Sequence, residues 1–262
     1  MSSLVKMDAL EGGVTVLELT NPPANAYSYE MFRELDEHIL AARMDERVHA
    51  IVLRGAGDKF FCAGADIAML QRAAPDFKYY FCLHANETLL RLQHTPKLVV
   101  AALNGHCVGG GLEVALAADI RVAKRGPLKI GFPEVALGVL PGTGGTQRLA
   151  RLVGQARAFE LMARGATLSV DEALAAGIVS HVFDEADFWP RVLELARSFC
   201  PPAKAARAVG RIKRAVVTGW DVPLESGLAL ERELQQQLFL SEDAREGLAA
   251  FGEKRPPRFT GR

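Results

Sequence analysis

Two glutamates in apolar surroundings and two turns of small residues are the groups in this 262-residue chain whose types and spacing could do chemistry together. Glu113 falls in the first turn of the helix opened by NGHCVGGGLE (104–113), and Val114, Leu116 and several alanines surround it. Glu134 follows Pro133 in IGFPEVALGVLPGTGGTQR (130–148), where little else is polar. A buried carboxylate is destabilising unless something compensates it. The first turn is FFCAGAD (60–66), whose Gly64 and Ala65 let the backbone come close to a ligand and aim free N–H groups at an oxygen. The second is Gly109-Gly110-Gly111, at a helix N-terminus that favours developing negative charge. Neither turn is a dinucleotide fingerprint or a phosphate-binding loop. Paired carboxylates can share a water and move its protons while amides hold an oxyanion. Each feature alone has a plainer reading: an ordinary strand-to-helix turn, a glutamate compensating a helix dipole, or an ion-pair partner.

These groups need elements to hold them. GVTVLELT (13–20) reads as a strand, broken by the loop NPPANAYS (21–28). Ser28 can cap a helix whose Met31, Leu35 and Ile39 recur at four-residue spacing. HAIVLRG (49–55), LVVAALNG (98–105), DIRVA (119–123) and LKIG (128–131) read as short strands, and Phe60-Phe61 starts another. Residues 76–94 read as a helix that Pro96 stops. PGTGGTQRLARLVG (141–154) is a glycine-rich turn running into a helix. Ser169 and Glu172 form a capping box, with Gly177 as the left-handed stop. From Glu185 to Phe251 the chain reads as almost all helix, broken by Pro201-Pro202. Strand-rich units with interleaved helices favour an α/β fold, which predicts a core over 1–195 and a helical region over 196–262.

Composition removes several function classes. Hydrophobic residues are 49% and charged residues 24%, which excludes a disordered chain or a coiled coil. Lys and Arg number 31 against 31 Asp and Glu, so no basic excess points to nucleic acid. Cys62, Cys82, Cys107 and Cys200 have no CxxC spacing, which argues against a zinc or redox motif and for reduced thiols in the cytoplasm. No run approaches the roughly 18 apolar residues of a membrane span, and the N-terminus lacks a secretory layout. His84, His94 and His106 are scattered, so no metal site is expected. His106 is near the triple glycine but is expected to pack, as are Trp189 and Trp220.

The motifs NPPANA, FCAGADI, NGHCVGGGLEVALAADI, FPEVALGVLPGTGGTQRL, ATLSVDEALAAGIVSHV and EDAREGLAAFGEKRPPRF follow one another over nearly the whole chain. In this order they resemble the crotonase family, the enoyl-CoA hydratase/isomerase superfamily. The resemblance implies a crotonase-like spiral of repeated ββα units with a C-terminal α-helical trimerisation region. It implies a homotrimer or dimer of trimers acting on an acyl-CoA thioester, with coenzyme A part of the substrate and no separate cofactor. It implies oxyanion-hole amides at Ala65 and Gly110, catalytic glutamates at Glu113 and Glu134, and a backbone contact to water at Gly142. Contacts to coenzyme A are implied at Ala24, Ala65, Asp66, Ile67, Ala68 and Gly110, and at Phe251 and Lys254 of a partner's tail.

Both glutamate positions are filled, which favours an enoyl-CoA hydratase, a hydro-lyase, over a double-bond isomerase or other crotonase-type lyase. A non-catalytic acyl-CoA-binding protein is the alternative outside catalysis. The resemblance is compatible with fatty acid metabolism by β-oxidation and with amino-acid or aromatic breakdown. The chain departs from the family pattern at Ala68, where a basic residue is common, and at Tyr27, where an aliphatic one is. KRGPLKI (124–130) also runs slightly long. Phe77, Tyr80, Phe81 and His84 are expected to line the acyl pocket.

Overall fold

Branched and apolar residues make Val5–Leu10 (β1) and Val14–Leu19 (β2) an antiparallel pair in the computed structural model, which describes residues 3–262. Ser28 caps α1 (Tyr29–Met44), its hydroxyl accepting the Met31 N–H at 3.3 Å, as the sequence predicts. Three ββα turns follow. The first is β3 (Ala50–Gly55), β4 (Phe60–Cys62), α2 (Ile67–Arg72) and α3 (Pro75–Gln93). The second is β5 (Leu98–Leu103), β6 (His106–Val108) and α4 (Gly110–Leu116). The third is β7 (Ile120–Lys124), β8 (Ile130–Gly131), a 3-10 turn at Glu134–Leu137 and α5 (Gly145–Val153). Then come α6 (Gln155–Ala163), β9 (Thr167–Leu168), α7 (Val170–Ala175), β10 (His181–Phe183), α8 (Phe188–Arg197), α9 (Ala206–Trp220), α10 (Leu224–Phe239) and α11 (Glu242–Gly252). Both halves of the Ser169–Glu172 capping box form, and Gly177 stops α7 at φ 72°.

Successive strands alternate between two sheets, which is what makes the chain a spiral. The six-stranded sheet runs β1-β2-β3-β5-β7-β10 and the four-stranded sheet β4-β6-β8-β9. From β2 to β10 the large sheet is parallel, and so are β4, β6 and β8 in the small one. Parallel strands must be covered on both faces. Leu17, Leu35, Ile39, Leu53, Leu89 and Leu103 fill one face of the large sheet, and Val16, Val52, Val100, Val122, Val192 and Ala196 fill the other. Hence AIVLRG and LVVAAL are near-continuous apolar runs rather than alternating ones.

Asn104, buried at the end of β5, ties the layers together. Its Oδ1 accepts Gly55 N–H at 3.0 Å, and its Nδ2 donates to Gly55 O at 3.0 Å and Gly57 O at 2.7 Å. This holds the β3–β4 connection against the β5–β6 connection. No helix among the described residues is long and apolar enough to cross a membrane.

The expectation that both tryptophans pack holds for Trp189, which packs against the outer face of the large sheet with the Arg54 guanidinium 4.6 Å from its ring centroid, and fails for Trp220. Trp220 is 71% exposed. It continues a stripe through Ile212 and Val216 at four-residue spacing, and that stripe faces outward on α9.

Asn104→Ala leaves the Gly55 N–H buried without a partner and removes a donor from both Gly55 O and Gly57 O, a loss of about 2–3 kcal/mol. Chemical denaturation is expected to show that loss; an unchanged midpoint would mean the two connections hold without the amide.

Candidate functional site

The chemistry-bearing turns meet because each follows the C-terminal end of a neighbouring parallel strand of the small sheet. Gly64-Ala65-Asp66 follows β4, Gly109-Gly110 follows β6, and Pro133-Glu134 follows β8. Ligand sites of open α/β sheets form at such carboxyl ends. The backbones there are in close contact. Gly109 has φ 57°, and a Cβ on it would lie 2.9 Å from Glu134 Oε1. A side chain on Gly111 would collide with the Cys62 carbonyl. The N–H groups of Ala65 and Gly110 find no acceptor among the described residues. Gly64 brings the two turns together, since a Cβ there would be 3.0 Å from Gly110 N.

Glu113 is 2% exposed. Its Oε1 accepts Thr143 N–H at 2.8 Å and Gly145 N–H at 2.7 Å, and its Oε2 accepts the Thr143 hydroxyl. Burial, the largest influence, holds its pKa above the ordinary carboxylate value, while these three donors and the Arg148 charge favour the anion and limit the rise. Arg148 is held by Gln93 Oε1 at 3.1 Å and Thr143 O at 3.2 Å.

Glu134 has different surroundings. Burial, reinforced by the charge of Glu113, pushes its pKa up to about 7. Its Oε2 is buried without a hydrogen-bond partner. One carboxyl is thus surrounded by donors, and the other is held near its protonated form with an oxygen free to donate.

The remaining predicted residues divide into neighbours of the turns and one distant pair. Ala24 O accepts Ala63 N–H at 3.0 Å, which puts the NPPANA loop beside the first turn. The Asp66 carboxylate caps α2 through Met69 N–H at 3.0 Å. Ile67 and Ala68 are exposed on α2. Gly142 is exposed, with its carbonyl 3.5 Å from Asn86 Nδ2 and Cys82 Sγ beside it. Phe251 and Lys254 lie at the far end of α11, Phe251 being 86% exposed, outside the cluster of turns in this chain.

The aromatic lining divides as well. Phe81 is buried and stacks on Phe77, with ring centroids 6.3 Å apart. His84 sits 5.4 Å from the Tyr29 ring with Nε2 buried and unpartnered. Tyr80 is 64% exposed, off the buried face of α3 that Phe81, Ala85, Leu89 and Leu92 define. His106 packs as expected, against Phe60, with Nδ1 accepting Lys129 N–H at 2.9 Å. The cysteines are free thiols, and no metal-binding cluster occurs among the described residues.

Sequence reasoning missed Thr143, Gly145 and Arg148. The hydroxyl in PGTGG, between glycines and 30 residues from Glu113, was the available signal.

A family model described as enoyl-CoA hydratase/isomerase matches residues 9–262. The short-chain-enoyl-CoA hydratase of Clostridium acetobutylicum is 37% identical over 246 residues, 94% of this chain and 93% of that protein. The crotonyl-CoA hydratase of Syntrophomonas wolfei is 34% identical over 250 residues, 95% of each. A crystal structure of an enoyl-CoA hydratase from Geobacillus kaustophilus superposes with a TM-score of 0.97 at 43% identity, over 100% of this chain and 98% of that one. The chain belongs to the enoyl-CoA hydratase/isomerase family and has its spiral fold.

Glu134 links protonation to stability. A carboxyl whose folded pKa is raised from 4.5 to about 7 favours the fold while protonated, and that contribution is lost as pH rises through about 7. The Tm of the wild type, measured against Glu134→Gln, is therefore expected to fall between about pH 5 and about pH 8. A constant difference over that range would show that Glu134 is not held as an acid.

Proposed function

We propose that this member of the enoyl-CoA hydratase/isomerase family is a hydratase. It adds water across the 2,3-double bond of a trans-2-enoyl-CoA thioester to give 3-hydroxyacyl-CoA. The observation that carries the reading is the unequal pair: Glu113 with three donors around its anion, and Glu134 with a pKa near 7 and an unpartnered oxygen. The hydratases of Clostridium acetobutylicum and Syntrophomonas wolfei support it by similarity.

The mechanism follows from where charge develops. The thioester oxygen takes the free N–H groups of Ala65 and Gly110. Water lies between the carboxyls, with the Gly142 N–H orienting it. Its oxygen bonds to C3 as Glu113 takes its proton. The π electrons of the double bond move through C2 toward the thioester oxygen as an enolate, which the two amides stabilise. Glu134 then delivers its proton to C2. The step leaves Glu113 protonated and Glu134 ionised, so one proton must pass back before the next turnover.

Binding uses the same turns. Ala24, Ala65, Asp66, Ile67 and Ala68 run along the coenzyme A arm of the substrate, with no base at Ala68 to pair its phosphates. Phe251 and Lys254 reach that arm from a neighbouring subunit of a homotrimer or dimer of trimers, consistent with their position outside the turn cluster of their own chain. Coenzyme A enters as part of the substrate.

With crotonyl-CoA, the wild type is expected to remove the absorbance of the conjugated thioester and form 3-hydroxybutyryl-CoA. Glu113→Gln and Glu134→Gln should each lower kcat by about 10²–10⁴. Since Glu134 acts as an acid, kcat/KM should decline as pH rises above about 7. Inert crotonyl-CoA with turnover of a 3-enoyl thioester would make the protein an isomerase; coenzyme A binding without turnover of either would make it a binding protein.

A further inference from the structure

Tyr27 enters the site from the loop between β2 and α1 and engages it twice. Its N–H donates to Gly64 O at 2.9 Å, and its carbonyl accepts Asp66 N–H at 2.9 Å. These bonds straddle Ala65, which pairs with Tyr27 as an isolated parallel bridge. The ring is buried, edge-on to Phe32 at 4.6 Å and tilted against Phe81 at 6.0 Å. Its hydroxyl oxygen lies 3.3 Å from Thr143 Oγ1. It also lies directly against Gly110, where a Cβ would collide with it.

Charge sets the direction of this chain of hydroxyls. The Glu113 carboxylate can only accept, so the Thr143 hydroxyl donates to it. Thr143 Oγ1 is then left with lone pairs, and Tyr27 must be the donor. Burial and the Glu113 charge hold the Tyr27 phenol well above its ordinary pKa, so it keeps the proton it donates.

We infer that Tyr27 is a positioning residue: its hydroxyl orients Thr143 toward Glu113 while its backbone clamps the Ala65 turn. One residue, by its backbone at Ala65 and its side chain at Gly110 and Thr143, thereby couples the two amides of the proposed oxyanion hole to the proposed base. With three donors on Glu113, one acceptor direction of its roughly four remains for a water. What Glu113 does with that water's proton rests on the hydratase reading; the chain of hydrogen bonds does not.

The other groups that face Glu113 are Glu134 from the 3-10 turn, Arg148 from α5 and Cys82 from α3. Tyr27→Phe alters none of them and keeps the ring, so its effect isolates the hydroxyl. Isotope-edited infrared titration, with spectra of the matching Glu113→Gln protein subtracted, reads the protonation of Glu113 without substrate. In Tyr27→Phe its midpoint is expected to move up by about half a pH unit, since the bond lost is to the neutral Thr143 hydroxyl and reaches Glu113 only through it. In parallel, kcat on crotonyl-CoA should fall about tenfold with KM within about twofold.

Thr143→Val should shift the midpoint further, Thr143→Ser should restore it, and Tyr27→Phe should add nothing in the Thr143→Val background. Should Tyr27→Phe not fold, 3,5-difluorotyrosine at position 27, a stronger donor of similar shape, should move the midpoint down. An unmoved midpoint, or independent and additive effects of the two substitutions, would overturn the inference, and a packing role alone would change only Tm. A shifted midpoint in a protein that hydrates nothing would sink the hydratase reading and leave this one standing. Hydration that depends on Glu113 with an unmoved midpoint would do the reverse.

Discussion

A carboxylate sealed in an apolar interior survives only if donors replace the water it has lost, and at Glu113 those donors come from a single turn. Thr143 gives its N–H and its hydroxyl, and Gly145 gives its N–H. An isolated ionised carboxyl in such a place would be strongly destabilising. The start of α5 is therefore bent around the start of α4, and the β8–α5 connection that carries Glu134 is brought in with it. The second glutamate is drawn to the first by the geometry that makes the first tolerable. Their charges then repel, and the less well solvated of the two keeps its proton.

The spiral explains why this happens at one point. A strand in the large sheet, a short strand in the small sheet and then a helix, repeated three times, stacks three turns at adjacent strand ends. The long apolar strands supply stability, while the short strands β4, β6 and β8 deliver backbone amides and a carboxyl to the same place. Contacts at Gly109 and Gly111 leave no room for a side chain, so the approach of these turns depends on glycine at the crossing points.

Much of this was legible in the residues. Glutamates inside apolar runs, and glycines at the ends of apolar strands, break local patterns that ordinary packing would keep, so they stand out in sequence. The caps at Ser28 and Ser169 are local rules and hold in the structure. What could not be read depends on distance along the chain. Tyr27 and Thr143 are 116 residues apart, and no local pattern says that their hydroxyls meet. Trp220 misleads for a related reason: an aromatic residue on a helix signals burial, but which face is buried depends on what the rest of the chain covers. The strand β9, two residues long, exists by pairing with β8 rather than by propensity.

The central claim is that the Ala65 and Gly110 amides hold a thioester oxygen while Glu113 and Glu134 flank its C3. A crystal structure with acetoacetyl-CoA, whose 3-oxygen occupies the place of the added water, tests it most directly. The expected result is a thioester oxygen about 2.7–3.1 Å from both amide nitrogens, with the 3-oxygen between the two carboxyls. A thioester oxygen away from either amide, or a 3-oxygen that meets neither glutamate, would contradict it.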